Sequence, residues 1–121
     1  VTKRNGVAAL RKALKDRTAE TQQLLETAEN DLVNLRAAKN AESDDDEHDP
    51  DGATMSAEWS RLEGRAADAR DELAQLEQAR RRLDDGDPAV CVDCGEPIPM
   101  ERLLVRPMAD RCVDCAERTG R

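Results

Sequence analysis

Residues 7–35 read VAALRKALKDRTAETQQLLETAENDLVNL, and the spacing of the apolar side chains in that stretch decides the fold class. Val7, Leu10, Leu14, Thr18, Thr21, Leu25, Ala28, Leu32 and Leu35 fall three or four residues apart, in alternation but for two successive fours from Leu10 to Thr18. That alternation is the heptad seam of a helix packed along a partner helix. Two threonines interrupt it, but Leu24 lies beside the stripe, and Ala, Gln, Glu, Lys and Arg, all good helix formers, fill the other faces. Neither proline nor glycine occurs from Val7 to Ala38, which predicts an unbroken helix about 48 Å long.

A second seam runs through Met55, Trp59, Leu62, Ala66, Ala69, Leu73, Leu76, Arg80 and Leu83. Its helix is expected to start between Asp49 and Thr54. Either Asp49 caps it with Pro50 in the first turn, or Thr54 caps it after Gly52. It should stop at Asp84-Asp85-Gly86-Asp87-Pro88, where Gly caps and Pro forbids continuation. Gly64 inside it is a penalty of about 1 kcal/mol. Two seams of matching length joined by a polar connector predict an all-α, long antiparallel helical hairpin, a coiled coil in which each stripe hides the other. A monomer is expected, with pairing between chains as the alternative. The hairpin occupies residues 1–88 and its acidic tip lies near 42–54, about 45 Å from the cysteine-bearing segment at 89–121.

Composition agrees with a fold that lacks an ordinary core. Of 121 residues, 38% are charged and 38% hydrophobic, and the aromatic set is Trp59 alone. Burial therefore rests on Leu, Val, Ala and Met. The net charge is −8, from 19 Lys and Arg against 27 Asp and Glu. Seven of those acids lie in residues 42–51, which hold no Lys or Arg, so the rest of the chain carries 19 bases against 20 acids. So acidic a segment argues against gripping phosphate backbones and suits a basic protein partner or a divalent cation. No apolar run approaches the roughly 18 residues of a membrane span, and VTKRNG at residues 1–6 lacks the apolar stretch of a signal peptide. No membrane contact and a cytoplasmic location are expected.

Residues 89–121 hold the four cysteines, as Cys91-Val-Asp-Cys94 and Cys112-Val-Asp-Cys115, with 17 residues between the pairs. This is the spacing of a four-cysteine zinc finger. Two thiolates three positions apart in a tight knuckle reach one ion about 2.3 Å away, and a second knuckle closes the tetrahedron. Gly95, directly after Cys94, suits a turn that needs positive φ. The segment has too few apolar residues to fold by burial, whereas a structural Zn²⁺ contributes roughly 10–16 kcal/mol. Two disulfides fit poorly with an unexported chain, and a redox dithiol would expect a βαβ context absent here. Cys91, Cys94, Cys112 and Cys115 are thus the expected ligands of one structural Zn²⁺.

The stretch CVDCGEPIPMERLLVRPMADRCVDC, residues 91–115, resembles the C-terminal zinc finger of the DksA/TraR family, including its Arg102-Leu103 and Arg106-Pro107 steps. The hairpin with an acidic tip extends the resemblance to nearly the whole chain. The resemblance implies a non-enzymatic transcription regulator that binds RNA polymerase directly, with no sequence-specific DNA binding of its own. Its hairpin would enter the secondary channel, its tip acids would act near the active centre, and its finger would anchor near the channel rim to modulate initiation. The family's tip pattern is Asp-x-x-Asp-x-Ala; here Asp46 and Asp49 match it and Asp51 stands in the alanine position. Arg102 and Arg106 match basic positions associated with polymerase and nucleotide contacts. Members often act with guanosine tetraphosphate, but the residue after the last cysteine, often a lysine where that nucleotide binds, is Ala116.

Two other functions compete. Tip carboxylates holding a catalytic Mg²⁺ would make a transcript-cleavage-stimulating factor, because that ion prefers hard oxygen ligands. A zinc-stabilised protein-interaction adaptor needs no polymerase at all. DNA binding is the weaker version of that third reading, since residues 89–121 hold five arginines against six acids. Of the remaining residues, His48 is expected to be solvated in the connector. Trp59 should pack near Leu32 or Leu35, and Arg80-Arg81-Arg82 form either a solvated face or an anion-binding one.

Overall fold

The computed structural model describes residues 2–42, 50–86 and 89–120. The described residues form four helices: α1 (Thr2–Glu42), α2 (Pro50–Asp85), α3 (Met100–Val105) and α4 (Val113–Thr119). Among the described residues the strand-like feature is one isolated antiparallel bridge between Val90 and Pro97. None of these helices is long and apolar enough to cross a membrane.

The long helices pair as an antiparallel hairpin. Arg11 reaches Asp84, Arg17 reaches Glu72, Glu29 reaches Arg70, and Arg36 lies over Trp59, so α2 partners fall in number as α1 residues rise. Exposed pairs of this kind contribute only about 0–1 kcal/mol each, and the seam does most of the holding. The chain divides into two compact units: one comprises the residues up to Ala19 with those from Glu72 onward, the other Glu20–Asp71.

In the unit Glu20–Asp71, Thr21, Ala28 and Leu32 of α1 are buried, as are Leu62, Ala66 and Ala69 of α2. Ala66 is wholly enclosed, at 0% exposure. Small side chains at these positions let two helix backbones approach closely, which suits a seam with a single aromatic residue. Thr21, an apparent flaw in the heptad, is among the most deeply buried side chains, while Leu24 beside the stripe is 64% exposed.

The other unit has a larger core. Leu10 and Leu14 of α1, Leu76 and Ala79 of α2, and Ile98, Leu103, Met108 and Ala109 form one buried cluster with Cys91 and Cys115. Two seam expectations change here. Ala79, not Arg80, faces inward, because the helices must now also meet the finger; Arg80 turns out to Glu77 and Asp84. And α1 begins at Thr2, running through Gly6. A Cβ at Gly6 would lie 3.2 Å from Met100 Cγ and Cε, so the missing side chain is what lets Met100 settle against the helix.

Helix ends obey the local chemistry. α2 begins at Pro50, the variant with Pro in the first turn. It ends at Asp85, where Gly86 takes φ +77° and donates its N–H to the Leu83 carbonyl at 3.2 Å. Asp46, His48 and Asp49 lie outside the described residues, and Asp51 falls within the first turn of α2.

Candidate metal centre

The finger starts as a tight ribbon. Cys91 N–H donates to the Glu96 carbonyl at 2.8 Å and Ile98 N–H to the Ala89 carbonyl at 2.9 Å, which folds residues 89–98 back on themselves. The first knuckle sits at the turn. Gly95 adopts φ +77° and donates its N–H to the Cys91 carbonyl at 2.9 Å, a conformation that a side chain would strain.

The second knuckle uses a helix start instead. Cys112 is the N-cap of α4 and Cys115 lies in its first turn, with Ala116 N–H donating to the Cys112 carbonyl at 2.9 Å. A backbone bond from Val92 N–H to the Asp110 carbonyl, 2.9 Å, ties the two knuckles together.

These elements bring the four sulfurs within 4.8 Å of one another. Cys94 Sγ and Cys112 Sγ are 3.8 Å apart. A tetrahedron with arms of about 2.3 Å has edges of about 3.8 Å, so the spacing fits Zn²⁺, and an all-thiolate set leaves no open position for chemistry on the ion. None of the four is in a disulfide. Cys91 and Cys115 are buried, whereas Cys94 is exposed.

The thiols are electrostatically unequal. Burial pushes Cys91 up, but hydrogen bonds from the backbone of Cys112, Cys94 and Asp93 outweigh it and bring this thiol to about 6. Cys115 is pushed up to about 12, first by the adjoining Cys112 thiol and then by burial. One site is ready to ionise and another resists. Four thiolates crowd together stably only around a cation, which is the condition that a bound metal meets.

Two arginines and one acid that sequence reasoning did not single out brace the centre. Arg111 Nε donates to Asp93 Oδ2 at 2.6 Å, linking the residue before the second knuckle to the middle of the first. Arg118 donates to Cys115 Sγ at 3.7 Å, bringing a positive charge to a buried sulfur. The available signal was Asp at the third position of both knuckles, but the choice of partner is tertiary. Arg102, matched by resemblance to a contact position, is half-buried and donates its Nε to the Arg111 carbonyl at 2.6 Å. Arg106 is exposed, and its side chain has no partner among the described residues.

Trp59 is half-buried, with the Arg36 guanidinium 5.2 Å from its ring centroid and Leu35 beside it in a shared cleft, as its seam position predicts.

Comparisons with known proteins agree with this geometry. Residues 86–119 match the family described as the prokaryotic dksA/traR C4-type zinc finger. A stretch of 66 residues is 44% identical to the RNA polymerase-binding transcription factor DksA of Haemophilus influenzae, covering 54% of this chain and 45% of that protein. The Escherichia coli K12 protein of the same name is 39% identical over 66 residues, 54% of this chain and 43% of that one. The matches thus span under half the length of these curated relatives. The solved structure of transcription factor DksA2 from Pseudomonas aeruginosa superposes with a TM-score of 0.74 at 25% identity, over 96% of this chain and 84% of that one. With its sulfurs gathered at tetrahedral spacing, the C-terminal module over residues 86–119 matches the C4-type zinc finger of the DksA/TraR family in both sequence and geometry.

Proposed function

We propose that this chain is a cytoplasmic, non-enzymatic regulator of transcription that binds RNA polymerase as a monomer. The observation that carries the proposal is the zinc finger, whose sequence and sulfur spacing agree, in a chain whose curated relatives are named as RNA polymerase-binding transcription factors. One structural Zn²⁺, held by Cys91, Cys94, Cys112 and Cys115, keeps the finger folded. Residues 1–88 supply an inserting arm and residues 89–121 the anchor. The arm enters the secondary channel and presents Asp46, Asp49 and Asp51 near the active centre, modulating initiation. The concentration of seven acids in residues 42–51 supports this, because a localised negative field steers the arm to a cationic entrance without making the whole chain repel it.

Arg106 is the better polymerase contact of the two arginines that the resemblance singles out, since Arg102 already spends its Nε on a backbone carbonyl. Guanosine tetraphosphate is not required in this reading: Ala116, where relatives often place a nucleotide-binding lysine, is buried and uncharged.

The test is capture of purified core polymerase, and promoter initiation by the holoenzyme, with the double variant Asp46→Asn/Asp49→Asn. Polymerase capture should persist and the change in initiation should disappear. Full regulation by a correctly folded double variant would dismiss the tip mechanism, and no capture of polymerase by the unaltered chain would dismiss the function.

A further inference from the structure

Beside the α1 turns that come after Gly6 runs an apolar groove of about 1300 Å³ shared with the finger. Its floor is Val7, Leu10 and Leu14 of α1 with Ile98, Met100 and Leu103, and its rim carries Arg11, Lys12, Lys15 and Arg82. No Asp or Glu lines it, in a chain that holds 27 of them. Two rim cations are already satisfied: Arg11 pairs with Asp84, and Lys12 with Asp16 at 2.6 Å. Lys15 and the half-buried Arg82 have no ion pair among the described residues.

Size and charge together select the occupant. Small-molecule sites enclose roughly 300–1000 Å³, and this groove is larger. Along α1 its lining extends from Val7 to Lys15, about 12 Å at the helical rise, or two turns. That length accepts the apolar stripe of a docked helix, whose anchors recur three and four residues apart. The one-signed rim asks for acidic side chains on the flanks of that helix. Met100 suits a surface that must accommodate a partner, because its flexible thioether repacks easily.

We propose that this groove docks a short amphipathic helix of a protein partner, apolar on one stripe and acidic on its flanks. The acidic connector of a second copy is the wrong chemistry, since residues 42–51 contain no Leu, Ile, Val or Met to fill the floor. The proposal goes beyond the polymerase reading, and its test uses the purified chain without polymerase, so the two fail separately.

The probe is a fluorescein-labelled helical peptide of about 14 residues, with Leu at alternate third and fourth positions and Glu on the flanks. It is titrated with the zinc-loaded full chain by anisotropy, beside a scrambled peptide of the same composition and one with Lys flanks. The acidic helix is expected to bind saturably and more weakly as salt rises, while the other two do not bind. Lys15→Glu/Arg82→Glu should weaken it roughly tenfold and confer binding of the Lys-flanked helix. Lys15→Glu alone, at an exposed site, should shift both affinities the same way if the double variant loses helicity or zinc. Equal binding of the scrambled peptide, an affinity unchanged by Lys15→Glu, or sedimentation showing a second copy of the chain in the groove would each overturn the proposal.

Discussion

Arg102 and Arg106 are four positions apart and look equivalent in the sequence, yet they have different work. Arg102 donates to the carbonyl of Arg111, which itself holds Asp93, so a chain of two hydrogen bonds links α3 to both knuckles. A partly buried bond with a charged donor contributes about 1.5–3 kcal/mol. Arg102→Ala is therefore expected to lower the unfolding free energy of the purified zinc-loaded chain in urea by an amount of that order, while Arg106→Ala leaves stability in place and weakens polymerase capture. The reverse pattern would exchange their roles. The cysteines were legible because ligand spacing is local, set by what one turn of chain can bring to an ion. The braces were not: Asp93 and Arg111 are 18 residues apart, and no periodicity marks such a pair.

At the scale of elements, the heptad pattern placed both long helices and their buried faces with little error. It failed where a third element intrudes. The seam position of Arg80 belongs to Ala79, because a straight helix drifts from a 3.5-residue repeat and the finger core captures the neighbouring face. Gly6, just ahead of the first seam residue, is not where α1 begins but where α1 is approached. Two interior glycines should thus respond differently to the same change. Around Gly64 nothing lies within 4 Å of the position a Cβ would take, so Gly64→Ala is expected to stabilise the chain by about 0.5–1 kcal/mol in urea unfolding. Gly6→Ala should gain less or lose outright, since Met100 must move from 3.2 Å contact. An equal gain at both positions would show that the Met100 contact has no energetic consequence.

At the scale of the whole molecule, metal and apolar burial are coupled in one place. Cys91 and Cys115 belong to the same buried cluster as Leu10, Leu14, Leu76 and Ala79, so removing the ion withdraws support from helix residues as well as from the finger. Residues 20–71 have buried contacts of their own, Trp59 among their members. Chelation is expected to reduce far-UV helicity in part and to expose the thiols to a labelling reagent, while the emission of Trp59, the chain's one aromatic side chain, stays where it was. Emission that shifts together with helicity would mean that the chain unfolds as a single cooperative body. The acidic run at residues 42–51 is legible from composition alone, and the fold adds nothing to it because Asp46 and Asp49 fall outside the described residues.

The cluster joining Leu10 and Leu14 to Leu103 and Met108 has a temporal side as well. Its first members leave the ribosome about one hundred residues before its last, an interval of roughly 5–20 s at ordinary rates of synthesis. Until the end of that time the α1 turns around Leu10 and Leu14 lack the finger's share of their apolar cover and the second cysteine pair that would organise it. Those turns are thus the apolar surface of the long helices that waits for the end of synthesis to be covered, and a chain cut short before Leu103 would leave them partly bare.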